Sequence, residues 1–302
     1  MSEDTIINKF GERFVKKFEL KEYSQIIKEI EKLLLEHPES EFGWSILGNS
    51  YYALGNFQKA IKSFEQEIAI GNKDNHLPYY NMGRSYEQLK DNEKAEENYE
   101  KSLAIKPNDY PINYSLANVY IKLSLYKKAE RLLKKTYNLD SQDPELIVNL
   151  LSTLHYNEKF EEAVKIGETA EKIHKNSYQL FYNLSLCYYQ LKEYQKGLEA
   201  SNKSLNLVPD NSNDLVDLLV AKGAHQVKLR RNEAAIETLM GALKLDNDKH
   251  GAFQNLSECF NHIPDHRASI FFDRLANGVV EFEEKKNGLN MSIIRIEKVG
   301  IK

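Results

Sequence analysis

The chain has 302 residues, of which 41% are hydrophobic and 28% charged, and its formal net charge is −4. This composition is too apolar for a disordered chain, and charges of both signs interspersed along the sequence disfavour nucleic acid as a partner. The first twenty residues predict no secretory signal. The sequence has no apolar run of about eighteen residues, so no membrane-spanning helix is predicted.

The first predicted element is a helical hairpin that begins near residue 7. Its first helix fits the later pattern poorly. Its second helix fits well, because Tyr23, Ile26, Ile30 and Leu33 stand at positions that later second helices repeat. We interpret this segment as a degenerate first repeat.

The block that begins near residue 41 shows the repeat most clearly. Apolar and small residues follow helical spacing, are interrupted by a turn at residues 54–56, and then resume on a second helix. These positions are Trp44, Leu47, Gly48, Tyr51, Ala60 and Phe64. The pattern predicts a pair of antiparallel amphipathic helices.

The same pattern recurs at intervals of 34 or 35 residues. Further hairpins are predicted to begin near residues 76, 110, 144, 178, 216 and 250. One small residue per hairpin marks the place where its two helices cross: Ala60, Ala95, Ala129, Ala163, Gly197 and Ala235. The last interval is longer, and we place an inserted surface loop at Pro209–Asp214.

The C-terminal end of the array is predicted to be capped. A helix from about Asp265 to Glu284 carries an apolar face that would cover the last hairpin. We therefore assign residues 1–286 to one solenoid. Residues 287–302 are predicted to form a short extended or disordered tail.

The residues from Trp44 to Phe64 resemble the tetratricopeptide repeat family, and weaker copies extend the resemblance along most of the chain. The resemblance implies an all-α, right-handed superhelical solenoid, here of about eight antiparallel hairpins, whose concave groove is lined by first helices and binds protein or peptide partners. The family's glycine is replaced in four hairpins, where we expect looser or rearranged packing: Ala117, Leu151, Ser185 and Ser257.

Asparagine and tyrosine recur at the predicted groove positions. The candidates are Asn49, Asn81, Asn118, Asn149, Asn183 and Asn255, with Tyr80, Tyr114 and Tyr182 beside them. Carboxamides match the donors and acceptors of an extended peptide backbone, and tyrosine rings could clamp apolar or proline-rich side chains. Alternatively, both residue types bond or pack against neighbouring helices.

Charged and aromatic side chains complete the predicted groove. Arg84 is its one inward cation in the central part, and His155 and Tyr189 lie further along. Tyr52, Glu87, Lys122 and Tyr156 are placed there too.

Some family members bind a partner's C-terminal carboxylates through a clamp of Lys, Asn, Asn, Lys and Arg. Asn49 and Asn81 occupy the two Asn places of that clamp. Ser45, Pro111 and Ser115 stand where its cations would be. Without charge-assisted bonds a carboxylate would be held weakly, so we predict that this mode of recognition is absent.

Other chemistry has little support in the sequence. The fourteen glycines are scattered and form no phosphate-binding loop. Cys259, His262 and His266 make a poor zinc set. We predict no catalytic residue, metal or cofactor. Two cysteines are too few for a disulfide framework, which favours a reducing cytoplasm.

Three functions fit these observations. The leading hypothesis is a stand-alone cytoplasmic scaffold or adaptor that holds an extended peptide or partner helix. The second is the substrate-recruiting region of a larger enzyme, such as a glycosyl-, sulfo- or methyltransferase. The third is a homo-oligomerisation module.

Overall fold

The computed structural model describes residues 3–140, 142–246 and 249–262. Within these ranges the chain forms fifteen α-helices and no strand, which confirms the predicted all-α fold. The chain divides into two compact units, Met1–Ser141 and Gln142–Lys302, which we call unit 1 and unit 2. The predicted capping helix and the tail lie outside the described residues.

Unit 1 contains four helical hairpins. Their helices are α1 (Glu3–Glu19), α2 (Tyr23–Glu36), α3 (Glu41–Ala53), α4 (Phe57–Ile70), α5 (Leu77–Gln88), α6 (Asn92–Ile105), α7 (Tyr110–Lys122) and α8 (Tyr126–Leu139). Helix α1 begins at Glu3, four residues before the start predicted near residue 7.

The described part of unit 2 contains three hairpins and one further first helix. Its helices are α9 (Pro144–Tyr156), α10 (Phe160–Glu171), α11 (Tyr178–Gln190), α12 (Tyr194–Leu207), α13 (Leu215–Lys228), α14 (Asn232–Leu245) and α15 (His250–Asn261). The connection between α12 and α13 spans residues 208–214 and contains the predicted inserted loop.

The helix boundaries follow local capping chemistry. The Asp143 side chain accepts hydrogen bonds from the amides of Glu145 and Leu146 at the start of α9, where Pro144 needs no amide partner. Ser177 caps α11 in the same way by accepting from the Leu180 amide. These contacts confirm the sequence-based assignment of Asp143 as an N-cap.

The small crossing residues are buried as predicted. Ala60, Ala95 and Ala129 in unit 1 have no exposed surface, and neither do Ala163 and Ala235 in unit 2. A larger side chain at these places would separate the two helices of each hairpin and lose their packing. The repeat interval read from the sequence therefore reflects a real steric constraint.

Neighbouring hairpins are joined by tyrosines near the ends of first helices. Tyr51 donates its hydroxyl to Glu31 at 2.8 Å in unit 1, and Tyr188 donates to Glu168 at 2.8 Å in unit 2. In both pairs the glutamate belongs to the second helix of the preceding hairpin. A repeated hydrogen bond thus links successive layers within each unit.

Candidate functional site

The predicted groove residues all lie on first helices. In each unit we call the surface that carries them the first-helix face of that unit. In unit 1 it carries Asn49, Tyr52, Tyr80, Asn81, Arg84, Glu87, Tyr114, Asn118 and Lys122. In unit 2 it carries Asn149, His155, Tyr156, Tyr182, Asn183, Tyr189 and Asn255.

In unit 1 the two asparagines of neighbouring first helices meet. Asn81 Nδ2 donates to Asn49 Oδ1 at 3.4 Å, and Asn49 Nδ2 donates to the Ser45 carbonyl in its own helix at 2.9 Å. These two hydrogen bonds fix the planes of both carboxamide groups. They leave the Oδ1 atom of Asn81 without a hydrogen bond from the described residues, so this oxygen is an oriented acceptor.

Arg84 lies beside this pair and stacks on aromatic rings. Its guanidinium carbon is 4.4 Å from the centroid of the Tyr52 ring and 5.9 Å from that of Tyr80. Both rings are within the range of cation–π attraction. The sequence placed Tyr52 on this face, but only the structure shows that it supports Arg84.

The fourth first helix of unit 1, α7, contributes Tyr114, Asn118 and Lys122. The Tyr114 ring stacks on that of Tyr110 with centroids 6.0 Å apart, and Asn118 is half-buried one turn further along α7. Lys122 Nζ contacts Glu87 Oε1 at 2.8 Å. This ion pair ties α7 to α5 on the first-helix face.

The asparagines of unit 2 also donate to backbone carbonyls. Asn183 is 8% exposed, and its Nδ2 donates to the Gln179 carbonyl at 3.1 Å and weakly to the Val148 carbonyl at 3.5 Å. Asn255 Nδ2 donates to the Gly251 carbonyl of its own helix at 2.8 Å. Asn149 is half-buried on α9. The donor contacts fit the packing alternative, and no described residue donates a hydrogen bond to the carboxamide oxygens of Asn183 and Asn255.

The remaining candidates of unit 2 are aromatic and partly buried. Burial raises the pKa of Tyr182 to about 12, with Asp217 and Asp214 acting in the same direction. Burial lowers the pKa of His155, so this imidazole stays neutral near pH 7. The Tyr189 ring lies edge-on to Tyr194 with centroids 5.6 Å apart. The face of unit 2 is therefore richer in neutral rings than in charges.

Sequence reasoning missed the buried histidine that supports this face. His225 on α13 is 1% exposed, and its ring centroid lies 5.5 Å from that of Tyr189. The sequence contains a sign of this histidine's role. Ser201 stands where other second helices carry a large residue: Phe64, Tyr99 or Leu133. A missing large residue at a crossing implies that a neighbour fills the space.

The described residues form neither a metal site nor a membrane-spanning helix. Within residues 3–140, 142–246 and 249–262, no three His, Cys, Asp or Glu side chains come together in a way that could hold a metal ion. In the same ranges no helix combines the length and apolarity needed to cross a bilayer. Cys187 and Cys259 are free and buried.

Comparison with known families identifies the repeat. Three profiles described as tetratricopeptide repeat match residues 42–108, 86–152 and 178–211. The chain contains tetratricopeptide repeats in these ranges. Its repeats indicate a protein-interaction scaffold.

Curated relatives are similar to the chain in sequence over part of their length. The chain is 26% identical over 178 residues to intraflagellar transport protein 70A of Xenopus tropicalis, which is 59% of this chain and 26% of that protein. The chain therefore spans about a quarter of the length of the curated relatives it matches.

Solved structures of tetratricopeptide repeat proteins have the same fold. The C-terminal part of a repeat protein from Cytophaga hutchinsonii superposes with a TM-score of 0.64 at 14% identity, covering 81% of this chain and 98% of that one. YrrB, a repeat protein with an unusual peptide-binding site, superposes with a TM-score of 0.54 at 20% identity, covering 64% of this chain and 96% of YrrB. At these identities the likeness is one of fold.

Proposed function

We propose that this tetratricopeptide repeat protein is a scaffold or adaptor that holds an extended peptide or a partner helix against the first-helix face. The main chain of an extended peptide would lie along the asparagines, and the side chains of that peptide would lie between the tyrosines. The peptide-binding site described for YrrB, which has a similar fold, is in keeping with it.

The observation that carries the proposal is the orientation of the carboxamides. Asn81 and Asn183 use Nδ2 within the protein, and in the described part of the chain their Oδ1 atoms accept no hydrogen bond. An extended peptide presents main-chain N–H groups at regular intervals. A fixed acceptor on a first helix would bind such a group without a further cost of side-chain ordering.

Replacement of two unit 2 asparagines tests the proposal. Asn149→Ala with Asn183→Ala removes two predicted main-chain contacts. Short peptides selected from a random phage-displayed library on the wild-type protein should bind about tenfold or more weakly to this variant, since each net hydrogen bond contributes roughly 1 kcal/mol. Isothermal titration calorimetry measures the affinity, and circular dichroism confirms that the variant is folded.

The matched control is Asn202→Ala with Asn206→Ala. Both residues are exposed on α12, a second helix of the same unit, and their loss should leave peptide affinity unchanged. Equal affinities for the two double variants would mean that the first-helix asparagines serve packing alone.

Two other functions stay predictions: the substrate-recruiting region of a larger enzyme and the homo-oligomerisation module. No contact among the described residues favours either of them.

A further inference from the structure

Arg84 is an arginine held in place without a counter-ion. It lies half-buried on α5, and its guanidinium stacks at 4.4 Å from the Tyr52 ring centroid. A planar guanidinium on an aromatic face keeps its N–H groups directed outward in the plane of the group. The five donors therefore have a fixed direction before any ligand arrives.

The rings under Arg84 are themselves fixed by the core of unit 1. Tyr52 meets Phe57 edge-on with centroids 5.5 Å apart, and Tyr80 packs at 5.6 Å against Tyr99, which has no exposed surface. These aromatic contacts restrict the rotamers of both tyrosines. The support for the guanidinium is thus part of the folded core and costs no ordering on binding.

The carboxylate that could neutralise Arg84 is engaged elsewhere. Glu87 lies one turn further along α5, but its Oε2 accepts from the Tyr99 hydroxyl at 2.5 Å and its Oε1 accepts from Lys122 at 2.8 Å. In the described ranges no other carboxylate lies within ion-pair distance of Arg84. The first-helix face of unit 1 therefore presents an uncompensated positive charge.

We propose that Arg84 binds an acidic side chain, Asp or Glu, of the peptide held on the first-helix face. A carboxylate matches the forked donor geometry of a guanidinium and forms charge-assisted hydrogen bonds with it. The Oδ1 acceptor of Asn81, one turn before Arg84 on α5, would take a main-chain N–H of the same peptide. The inference rests on the proposed function and adds the chemistry of the ligand.

Selection of peptides on three proteins in parallel tests the inference. The proteins are the wild type, Arg84→Gln and the control Arg131→Gln, and the probe is a phage-displayed library of random short peptides. Arg131 is exposed on α8, a second helix of the same unit. Peptides selected on the wild type and the control should carry an Asp or Glu at one fixed place, and those selected on Arg84→Gln should lose that preference.

Affinity measurements then give the size of the effect. A selected acidic peptide should bind Arg84→Gln roughly tenfold to a hundredfold more weakly than it binds the wild type, the range of a hydrogen bond to a charged group. Its analogue with Gln or Asn at the acidic place should bind both proteins alike. Arg84→Lys should recover part of the loss, since it restores the charge and not the fork.

The outcomes separate this inference from the proposed function. The selected peptides could lack an acidic preference and bind the wild type and Arg84→Gln equally, while the Asn149 and Asn183 substitutions weaken their binding. That result would overturn the role of Arg84 and leave the proposed scaffold function intact. A library that yields no peptide on any of the three proteins would overturn both proposals.

Discussion

The two units solve the same packing problem with different side chains. In unit 1 the first helices α3 and α5 carry glycine at the crossing, and a ring from the second helix fills the space. A Cβ atom added to Gly48 would lie 2.5 Å from the Phe64 ring, and one added to Gly83 would lie 2.6 Å from the Tyr99 ring. Glycine is required there because the aromatic ring occupies the space of a methyl group.

In unit 2 the crossing of α11 with α12 has no such ring. Ser185 and Ser201 replace the glycine and the aromatic residue, and their Oγ atoms lie 2.6 Å apart. His225, from the first helix of the next hairpin, extends its ring into the space, with Nε2 2.9 Å from Ser185 Oγ. A Cβ atom added to Gly197 would overlap this imidazole. The space at the crossing is filled in both cases. In unit 2, however, the side chain that fills it comes from the next hairpin and is polar.

The polar solution of unit 2 has a defined proton arrangement. His225 Nε2 lies 3.2 Å from the Ser185 carbonyl, which can only accept, so this nitrogen carries the proton. Nδ1 has no hydrogen-bond partner among the described residues. A second proton on Nδ1 would be a buried charge without an acceptor. Burial accordingly lowers the pKa of His225 to about 4.

The largest expected effect comes from replacing His225 by the residue of unit 1. The matching position in unit 1 is Ser85, which is fully buried. His225→Ser alone leaves a cavity and removes a partner of Ser185, so we expect a loss of about 3 kcal/mol in the free energy of unfolding. Urea denaturation measures it, and His250→Ser, at an exposed position on α15, should change it little.

The triple variant Ser185→Gly, Ser201→Phe, His225→Ser then tests whether the two solutions are interchangeable. It rebuilds the arrangement of Gly48, Phe64 and Ser85 in unit 2, and we expect it to recover most of the loss. A triple variant no more stable than His225→Ser would show that the backbone of unit 2 has adapted to the histidine.

A second difference lies in the pH dependence that one buried group of each unit contributes to stability. In unit 1, burial and the nearby Glu41 carboxylate raise the pKa of Glu67 from 4.5 to about 8. A raised pKa favours the protonated form, so stability declines as pH rises from 4.5 towards 8. The lowered pKa of His225 from 6.5 to about 4 acts in the opposite direction, and stability declines as pH falls between these values.

Single substitutions separate these two contributions. Glu67→Gln should raise the unfolding free energy by about 2 kcal/mol at neutral pH and by little near pH 4.5, since the amide stays neutral throughout. His225→Ser should instead flatten the decline on the acid side. Urea denaturation as a function of pH measures both. A Glu67→Gln variant that follows the wild-type pH profile would contradict the raised pKa.

The sequence predicted those features that depend on local spacing. The period, the crossing alanines and the Asp143 cap all follow from residues close together in the chain, and the structure confirms them. Contacts such as Arg84 on Tyr52 or His225 against Ser185 depend on how far one hairpin is displaced against the next. That offset is set by summed packing over many residues, and no motif of a single repeat encodes it.

The smallest expected effect concerns the turn within each hairpin. The seven hairpin turns that the structure describes are all three residues long, and their middle residues have positive φ. Only Gly55 is glycine; the others are Lys21, Lys90, Ser124, Glu158, Lys192 and Arg230. In each unit the same backbone bonds close the turn, as from Asn56 N to the Tyr51 carbonyl in unit 1 and from Arg231 N to the Gln226 carbonyl in unit 2.

Arg230→Gly should therefore stabilise unit 2. A side chain in the left-handed region costs roughly 1 kcal/mol, and the greater freedom of glycine in the unfolded chain offsets part of the gain. We expect a net increase of about 0.5 kcal/mol in the free energy of unfolding, measured by urea denaturation. Glu237→Gly, inside α14 at an exposed position, is the matched control and should lose about 1 kcal/mol because it weakens a helix interior. Equal losses for both variants would show that the Arg230 side chain contributes more to unit 2 than its backbone strain costs.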